Sequence, residues 1–266
     1  HDQTIETNYL GSQFGISVSI YEDRIAVGSS YSTHALSAGS VTLIKHETSP
    51  IDIWLPEIML HASDGDESDL FGYSGVSLSH DFFVAGAFGD DEFGNNAGAA
   101  YAFKLDNGVW QETKIYPSVD APDYFGQSVS NDGYNIIVGS GSESAYIYMY
   151  DGSGWSSEIR LVASDGNGWG VPDWYGSAVA LDGSTAVVGP YGFDSNPATE
   201  DSGTVYIYES GPLCPLEGDL NGDGVVNILD LLLLIGNFNG SGAGDLNGDG
   251  IVNITDLLIL IANWGP

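Results

Sequence analysis

A repeat of about fifty residues constrains the fold of this chain more than any other feature. Each copy begins at a Phe-Gly or Tyr-Gly pair, and the pairs start at Phe14, Phe71, Phe125 and Tyr175. An alternating segment follows each pair, then a short apolar strand that ends in glycine, then a strand with apolar or aromatic residues at every second position. A further strand follows in three of the copies. Four short strands in each unit are the pattern of one β-propeller blade.

Composition agrees with a β-rich body and excludes two classes of partner. The 266 residues include 37 Gly and 15 Tyr, and 42% are hydrophobic, which is typical of a globular chain with tight turns. Five Lys and Arg oppose 37 Asp and Glu, so the net charge is −32. Such a surface repels nucleic acid and anionic membranes and suits surroundings rich in calcium or salt. We therefore expect no nucleic-acid partner, and no apolar run near the tail is long enough for a membrane span.

The repeated units resemble FG-GAP repeats, which build the integrin alpha-subunit β-propeller and occur in many bacterial secreted proteins. The resemblance covers most of residues 12–210 and is carried by segments such as LFGYSGVSLSHDFFVAGAF. It implies a mainly β fold with a propeller domain over residues 1–211. Propellers of this family often have about seven blades. Only four units are present here.

The sequence leaves two arrangements of the four blades open. The fourth unit ends at Ser210 without its outer strand, and residues 4–8 stand where other units have that strand. In a closed four-bladed ring, residues 3–9 complete the fourth blade and contact residues 204–208. In a partial propeller or open array, which we favour, residues 3–9 belong to a blade that is absent from this chain.

The tail contains the same twelve-residue loop twice, starting at Asp219 and again 26 residues later at Asp245. Oxygen-bearing side chains stand at loop positions 1, 3, 5 and 12, glycine stands at position 6, and position 7 offers its backbone carbonyl. This pattern suits a hard cation with six to eight oxygen ligands. Apolar residues at i, i+3, i+4 and i+7 after each loop predict a short amphipathic helix. The tail is therefore predicted to be a duplicated calcium site.

Neither loop can follow a long helix, because residues 211–218 contain two prolines and residues 239–244 are rich in glycine. An EF-hand requires such an entering helix. A duplicated loop with only an exiting helix resembles a type I dockerin. The resemblance implies a small helical domain over residues 218–266, after a linker at residues 212–217. It also implies a cohesin partner on a scaffold protein or a cell surface.

The dockerin resemblance implies two calcium ions and a ligand set for each. The ligands expected for the first ion are Asp219, Asn221, Asp223, the Val225 carbonyl and Asp230. Those expected for the second are Asp245, Asn247, Asp249, the Ile251 carbonyl and Asp256. Loop positions 10 and 11, where many cellulosomal dockerins carry a Ser-Thr pair that the cohesin contacts, hold Ile228-Leu229 and Ile254-Thr255. We expect these four residues to bind the partner, which is a cohesin-like module, another apolar surface or the chain's own propeller.

Acidic loops in the body are candidates for further calcium ions, although none has the Asp-x-Asp-x-Asp-Gly spacing of integrin-type blades. The alternative, which we favour, is turn chemistry on solvated loops. The three candidate sets are Asp64, Asp66 and Asp69; Asp90, Asp91 and Asn95; and Asp165 with Asn167.

Three classes of function remain. The first is a secreted or cell-surface modular protein, in which the tail docks to a partner and the propeller is a binding or display domain for a glycan or protein. The second is a dockerin-borne hydrolase acting on O-glycosyl bonds in polysaccharide breakdown, since many dockerins accompany such enzymes. The third, implied by the integrin resemblance, is adhesion, in which loops 28–40, 87–98 and 189–203 form the binding face. No G-x-S-x-G, H-E-x-x-H or phosphate-loop motif is present. We therefore name no catalytic residue and favour the first class.

Overall fold

A computed structural model describes most of the chain, and every structural statement below concerns the residues that it describes. These are residues 3–6, 13–30, 37–49, 52–118, 124–141, 144–151, 154–163, 174–190, 192, 203–209, 218, 220, 226–240, 244–247 and 250–264. They form fifteen strands in four antiparallel sheets, and two helices. The chain divides into two compact units, one of His1–Asp182 with Ala186–Tyr208 and the other of Gly183–Thr185 with Glu209–Pro266.

Each of the four sheets is an antiparallel meander, and each corresponds to one predicted repeat. Blade one consists of β1 (Val18–Tyr21), β2 (Arg24–Ser29), β3 (Ser40–Glu47) and β4 (Ile53–Leu60). Blade two consists of β5 (Val76–Ser79), β6 (Phe82–Ala87), β7 (Ala99–Asp106) and β8 (Val109–Ile115). Blade three consists of β9 (Ser128–Asn131), β10 (Asn135–Gly139), β11 (Ala145–Tyr150) and β12 (Trp155–Leu161). Blade four consists of β13 (Ala178–Asp182), β14 (Thr185–Gly189) and β15 (Tyr206–Glu209). The prediction of four β-propeller blades is confirmed.

Successive blades pack face to face. The first strand of each blade lies beside the first strand of the next, so that β1, β5, β9 and β13 form a series. The second strands of the inner blades, β6 and β10, are buried along their whole length because a sheet covers each of their faces. This explains why their sequences are continuous apolar runs and not alternating ones.

Repeated glycines allow the close approach of neighbouring blades. A Cβ atom on Gly86, at the end of β6, would lie 1.8 Å from the carbonyl oxygen of Gly126, in the Phe-Gly pair that opens blade three. Gly28 and Gly139 stand in the same relation to the next blade. The Gly126 amide in turn donates to the Gly139 carbonyl oxygen of its own blade at 3.0 Å. Gly126 therefore links its own sheet to the preceding one, and Gly72, whose amide donates to the Gly86 carbonyl oxygen, does the same.

The two ends of the blade series are exposed. Val18 and Ile20 of β1 are 66% and 64% exposed. At the other end, Val205, which precedes β15, is 60% exposed, and Ile207, within β15, is 64% exposed. The Gln3 side chain, expected on blade four or on an absent blade, is instead hydrogen-bonded to the backbone of Trp54 in β4 of blade one, so both expectations are wrong for this residue. Residues 7–9 lie outside the described part of the chain. The described residues therefore form an open series, as favoured from the sequence.

The tail contains two short helices, α1 (Ile228–Gly236) and α2 (Ile254–Ala262). They share a small core of one buried residue in each helix and one before it, namely Leu234, Leu260, Val226 and Val252. No helix among the described residues is long and apolar enough to cross a membrane. The predicted linker, residues 212–217, lies outside them.

Candidate functional sites

The second tail loop folds back on its own first residue. Asp245, at loop position 1, accepts a hydrogen bond through Oδ2 from the amide of Gly250, at position 6, at 2.8 Å. Gly250 has φ +91°, a conformation that side-chain-bearing residues rarely adopt. The glycine is therefore required by the turn, as the sequence pattern indicates.

Asp256, at position 12 of this loop, is fully buried and joins the start of the loop to the start of α2. Its Oδ1 accepts from the amides of Leu246 at 2.8 Å and Asn247 at 3.1 Å, and its Oδ2 accepts from the amide of Asn253 at 2.8 Å. Burial by itself would raise the pKa of Asp256. The backbone N–H donors outweigh that effect and hold the pKa below its usual value. The carboxylate is thus kept ionised inside the loop.

The first loop repeats this geometry as far as the structure describes it. Asp230 is also fully buried, and it accepts from the amides of Leu220 at 2.9 Å and Asn227 at 2.8 Å. These equivalent hydrogen bonds indicate that the two loops have the same local fold. The other predicted ligands of the first ion, and Asp249 of the second, lie outside the described residues.

Asn227 and Asn253, at loop position 9, begin the two helices as N-caps, a role that sequence reasoning missed. Their side chains accept from the amides of Leu229 and Thr255, each at 2.8 Å. Together with Asp230 and Asp256 they form capping boxes. The signal was present in the sequence, because Asn followed three residues later by Asp before an apolar run is a variant of the capping-box pattern. The same residues therefore serve both the loop and the helix.

The donor set of the second loop fits a calcium ion. Among the predicted ligands described there, Asp245 and Asp256 offer carboxylates, Asn247 an amide oxygen and Ile251 a backbone carbonyl, all of which calcium prefers. The described residues alone contain no cluster of three or more His, Cys, Asp or Glu side chains suited to a metal. A complete set requires the remaining loop residues.

Each tail helix presents exposed apolar side chains. The four residues predicted to bind a partner, Ile228, Leu229, Ile254 and Thr255, are all exposed. Further exposed apolar residues lie along the same two helices, at Leu232, Leu233, Ile235, Leu258 and Ile261. Exposed apolar surface of this extent on small helices is typical of a binding surface.

An acidic pocket on blade two holds a lysine that the sequence did not single out. The Lys114 ammonium, on β8, lies 2.7 Å from Asp64, 2.8 Å from Asp90 and 2.7 Å from Glu92. The Tyr101 hydroxyl is 2.7 Å from Asp64 and 2.9 Å from Asp90. Lys114 thus supplies positive charge among the carboxylates considered above for calcium. Its rarity, as one of five basic residues, was the only signal in the sequence.

The same acidic pocket raises the pKa of Asp69. Burial, together with the neighbouring charges of Asp90, Asp66 and Asp91, raises the pKa of Asp69 to about 6, although the backbone amide of Asp66 donates to it. Asn95, from the same candidate set as Asp90, is exposed on the loop instead. Asp165 and Asn167 lie outside the described residues.

Comparison with known families agrees with the two-part organisation of the chain. The FG-GAP repeat model matches residues 54–103 and 155–208, and the dockerin type I domain model matches residues 217–264. No curated protein matches the chain. Among solved structures, the crystal structure of the computationally designed Ika4 protein has a TM-score of 0.43 at 10% identity, covering 79% of this chain and 99% of that one. The chain is therefore a modular protein in which FG-GAP repeats are followed by a dockerin type I domain.

Proposed function

We propose that this chain is a secreted docking module whose tail binds two calcium ions and attaches the propeller to a cohesin-like partner. The observation that carries the proposal is the paired loop geometry, in which a buried carboxyl group at position 12 joins each loop to a helix with an exposed apolar surface. Type I dockerin domains bind calcium and cohesin. The domain limits we propose are 1–211 for the propeller, 212–217 for the linker and 218–266 for the dockerin.

The ions would be held by the ten residues that the loop pattern identifies. They are Asp219, Asn221, Asp223, Val225 and Asp230 in the first loop, and Asp245, Asn247, Asp249, Ile251 and Asp256 in the second. Bound calcium would neutralise carboxylates that otherwise repel one another across each loop. The protein's own contribution is to hold Asp230 and Asp256 in place through backbone donors before an ion arrives.

The partner surface in this proposal is the exposed part of α1 and α2 around Ile228, Leu229, Ile254 and Thr255. Three of these four side chains are aliphatic, so the matching surface on the partner is apolar. In the propeller, the loops at 28–40, 87–98 and 189–203 would present the ligand-binding face. The FG-GAP and dockerin domains are themselves non-catalytic, and no described residue favours the alternative of a hydrolase.

Calcium titration by calorimetry tests the proposal. We expect two ions per chain in the wild type and none at these sites in the Asp223→Ala, Asp249→Ala double variant, because each change removes a charged ligand. An Asp106→Ala variant, changed at an exposed β7 position of the propeller, is the control and should keep both ions. Unaltered calcium binding in the double variant would disprove the ligand assignment.

A cohesin pull-down on the same proteins tests the partner. We expect capture of the wild type in calcium and loss of capture in chelator. An Ile228→Asp, Ile254→Asp variant that still binds two ions should also lose capture, because charge replaces the apolar contact. Capture that survives both changes would place the partner surface elsewhere.

A further inference from the structure

One face of blade one is exposed, although the corresponding face of each later blade is covered by the blade before it. Val18 and Ile20 in β1 occupy the positions of Val76 and Leu78 in β5, as the matching register with the second strands shows. Val76 and Leu78 are only 8% and 6% exposed, because blade one packs on them. Val18 and Ile20 lack such a cover in the described structure.

The fourth blade is uncovered on the opposite face. Val205 and Ile207 alternate with Tyr206 and Tyr208 as Ala145 and Ile147 alternate with Tyr146 and Tyr148 in β11. Ala145 and Ile147 are almost fully buried. Each blade thus packs one face on the preceding blade and the other face on the following blade. In the described structure, blade one exposes a face of the first kind and blade four exposes a face of the second kind.

We propose that these two end faces bind each other between two copies of this chain, blade four of each copy packing on blade one of the other. The contact continues an interface that the chain already forms three times, from blade one to blade four. Each contact joins two different faces, head to tail, and such contacts close into rings when the rotation allows. Two copies give a ring of eight blades, within the usual range of about four to eight, whereas three copies would exceed it.

The net charge of the chain makes dimerisation depend on ionic strength. Each copy carries a net charge of −32, so two copies repel one another at low ionic strength. The end-face residues named above are all aliphatic. Dimerisation should therefore strengthen as salt is raised from low to moderate concentration.

Sedimentation velocity of the full chain over a range of protein concentrations tests the proposal. We expect wild type to reach twice the monomer mass, in calcium and in chelator alike. Ile20→Lys and Ile207→Lys should each raise the dimer dissociation constant about tenfold or more, because a charge then replaces a buried aliphatic side chain. Val109→Lys, at a similarly exposed aliphatic position on the outer strand β8, is the matched control and should dimerise as wild type does.

Mixing the two end variants gives the decisive result. In the mixture, one contact between unlike copies joins the unchanged blade four of Ile20→Lys to the unchanged blade one of Ile207→Lys. We therefore expect a dimer in the mixture where each variant alone is monomeric, which also shows that both variants are folded. A monomeric wild type at all concentrations, a larger assembly, or single variants that dimerise normally would overturn the proposal.

Discussion

Single residues decide the electrostatics of the propeller, and Lys114 is the clearest case. Its ammonium has three N–H donors and meets three carboxylates. Asp90 is buried, so without this cation its charge would be left in a poorly solvated site. In a chain with 37 acidic residues, one lysine at the right position stabilises a whole loop cluster.

Replacing Lys114 with Gln should lower the free energy of unfolding by about 2 to 4 kcal/mol, because buried Asp90 loses its charged partner. Lys45→Gln is the control, since its pair with Glu47 is exposed and should contribute less than about 1 kcal/mol. Urea denaturation of the three proteins measures the difference. Equal losses in both variants would show that Lys114 is an ordinary surface residue.

Asp69 should make stability depend on pH. Its pKa of about 6 in the folded protein exceeds its ordinary value of 3.8, so the folded state binds the proton more tightly. The free energy of unfolding should therefore fall as pH rises from 4 to above 6. Asp69→Asn removes this penalty and should stabilise the protein by about 1 to 2 kcal/mol at pH 7.5, and hardly at pH 4.

Urea denaturation across this pH range measures the effect. Asp106→Asn, at an exposed position on β7, serves as the control and should shift stability little at either pH. A stabilisation by Asp69→Asn that does not change with pH would contradict the explanation.

At the scale of the elements, the recurring glycines are explained by contacts between sheets. The sequence shows that they recur, and local turn chemistry is the ordinary reason for a glycine. Gly86 is not in a turn but at the end of β6, where the backbone of the next blade lies against it. These glycines therefore recur because each of them lies where one blade packs closely against the next.

Gly86→Ala should be severely destabilising, by about 3 kcal/mol or more, because the new methyl group would overlap the Gly126 carbonyl and force the blades apart. Gly154→Ala is the matched control, since nothing lies within 4 Å of its added Cβ. Thermal and urea denaturation, followed by the β signal in circular dichroism, compare the two. A tolerated Gly86→Ala would refute the packing explanation.

The helices of the tail illustrate how little stability short elements have alone. Each has nine residues, below the length at which isolated helices persist in water. Their shared core contains four fully buried residues. Capping by Asn227 and Asn253 adds about 1 kcal/mol each. Calcium bound at the proposed sites would add further stability.

For the whole molecule, we expect the tail and the propeller to unfold separately, because they are two compact units. Chelator should reduce the helical signal at 222 nm and leave the propeller transition in place. Calcium at about a thousand times its dissociation constant should add about 4 kcal/mol per site to the tail. Calorimetric scans with and without calcium measure both transitions. A single transition that calcium does not move would contradict this expectation.

The sequence alone determined the features that local pattern encodes. Four repeats with period-two strands identified the four blades. The spacing of the duplicated loop identified the tail as dockerin-like, because a turn and its oxygen side chains are set by residues close together in the chain. The helix caps at Asn227 and Asn253 were equally local and could have been read from the same pattern.

Only the tertiary structure decided what depends on residues distant in the chain. Lys114 meets Asp64 across 50 residues, and no local pattern indicates which acidic loop a given lysine will approach. Val205 and Ile207 have the same alternation as the buried residues of β11, and only the absence of a covering sheet over them in the described structure exposes them. Burial is a property of the neighbours that a fold brings together, so the acidic pocket and the open end faces emerged only with the fold.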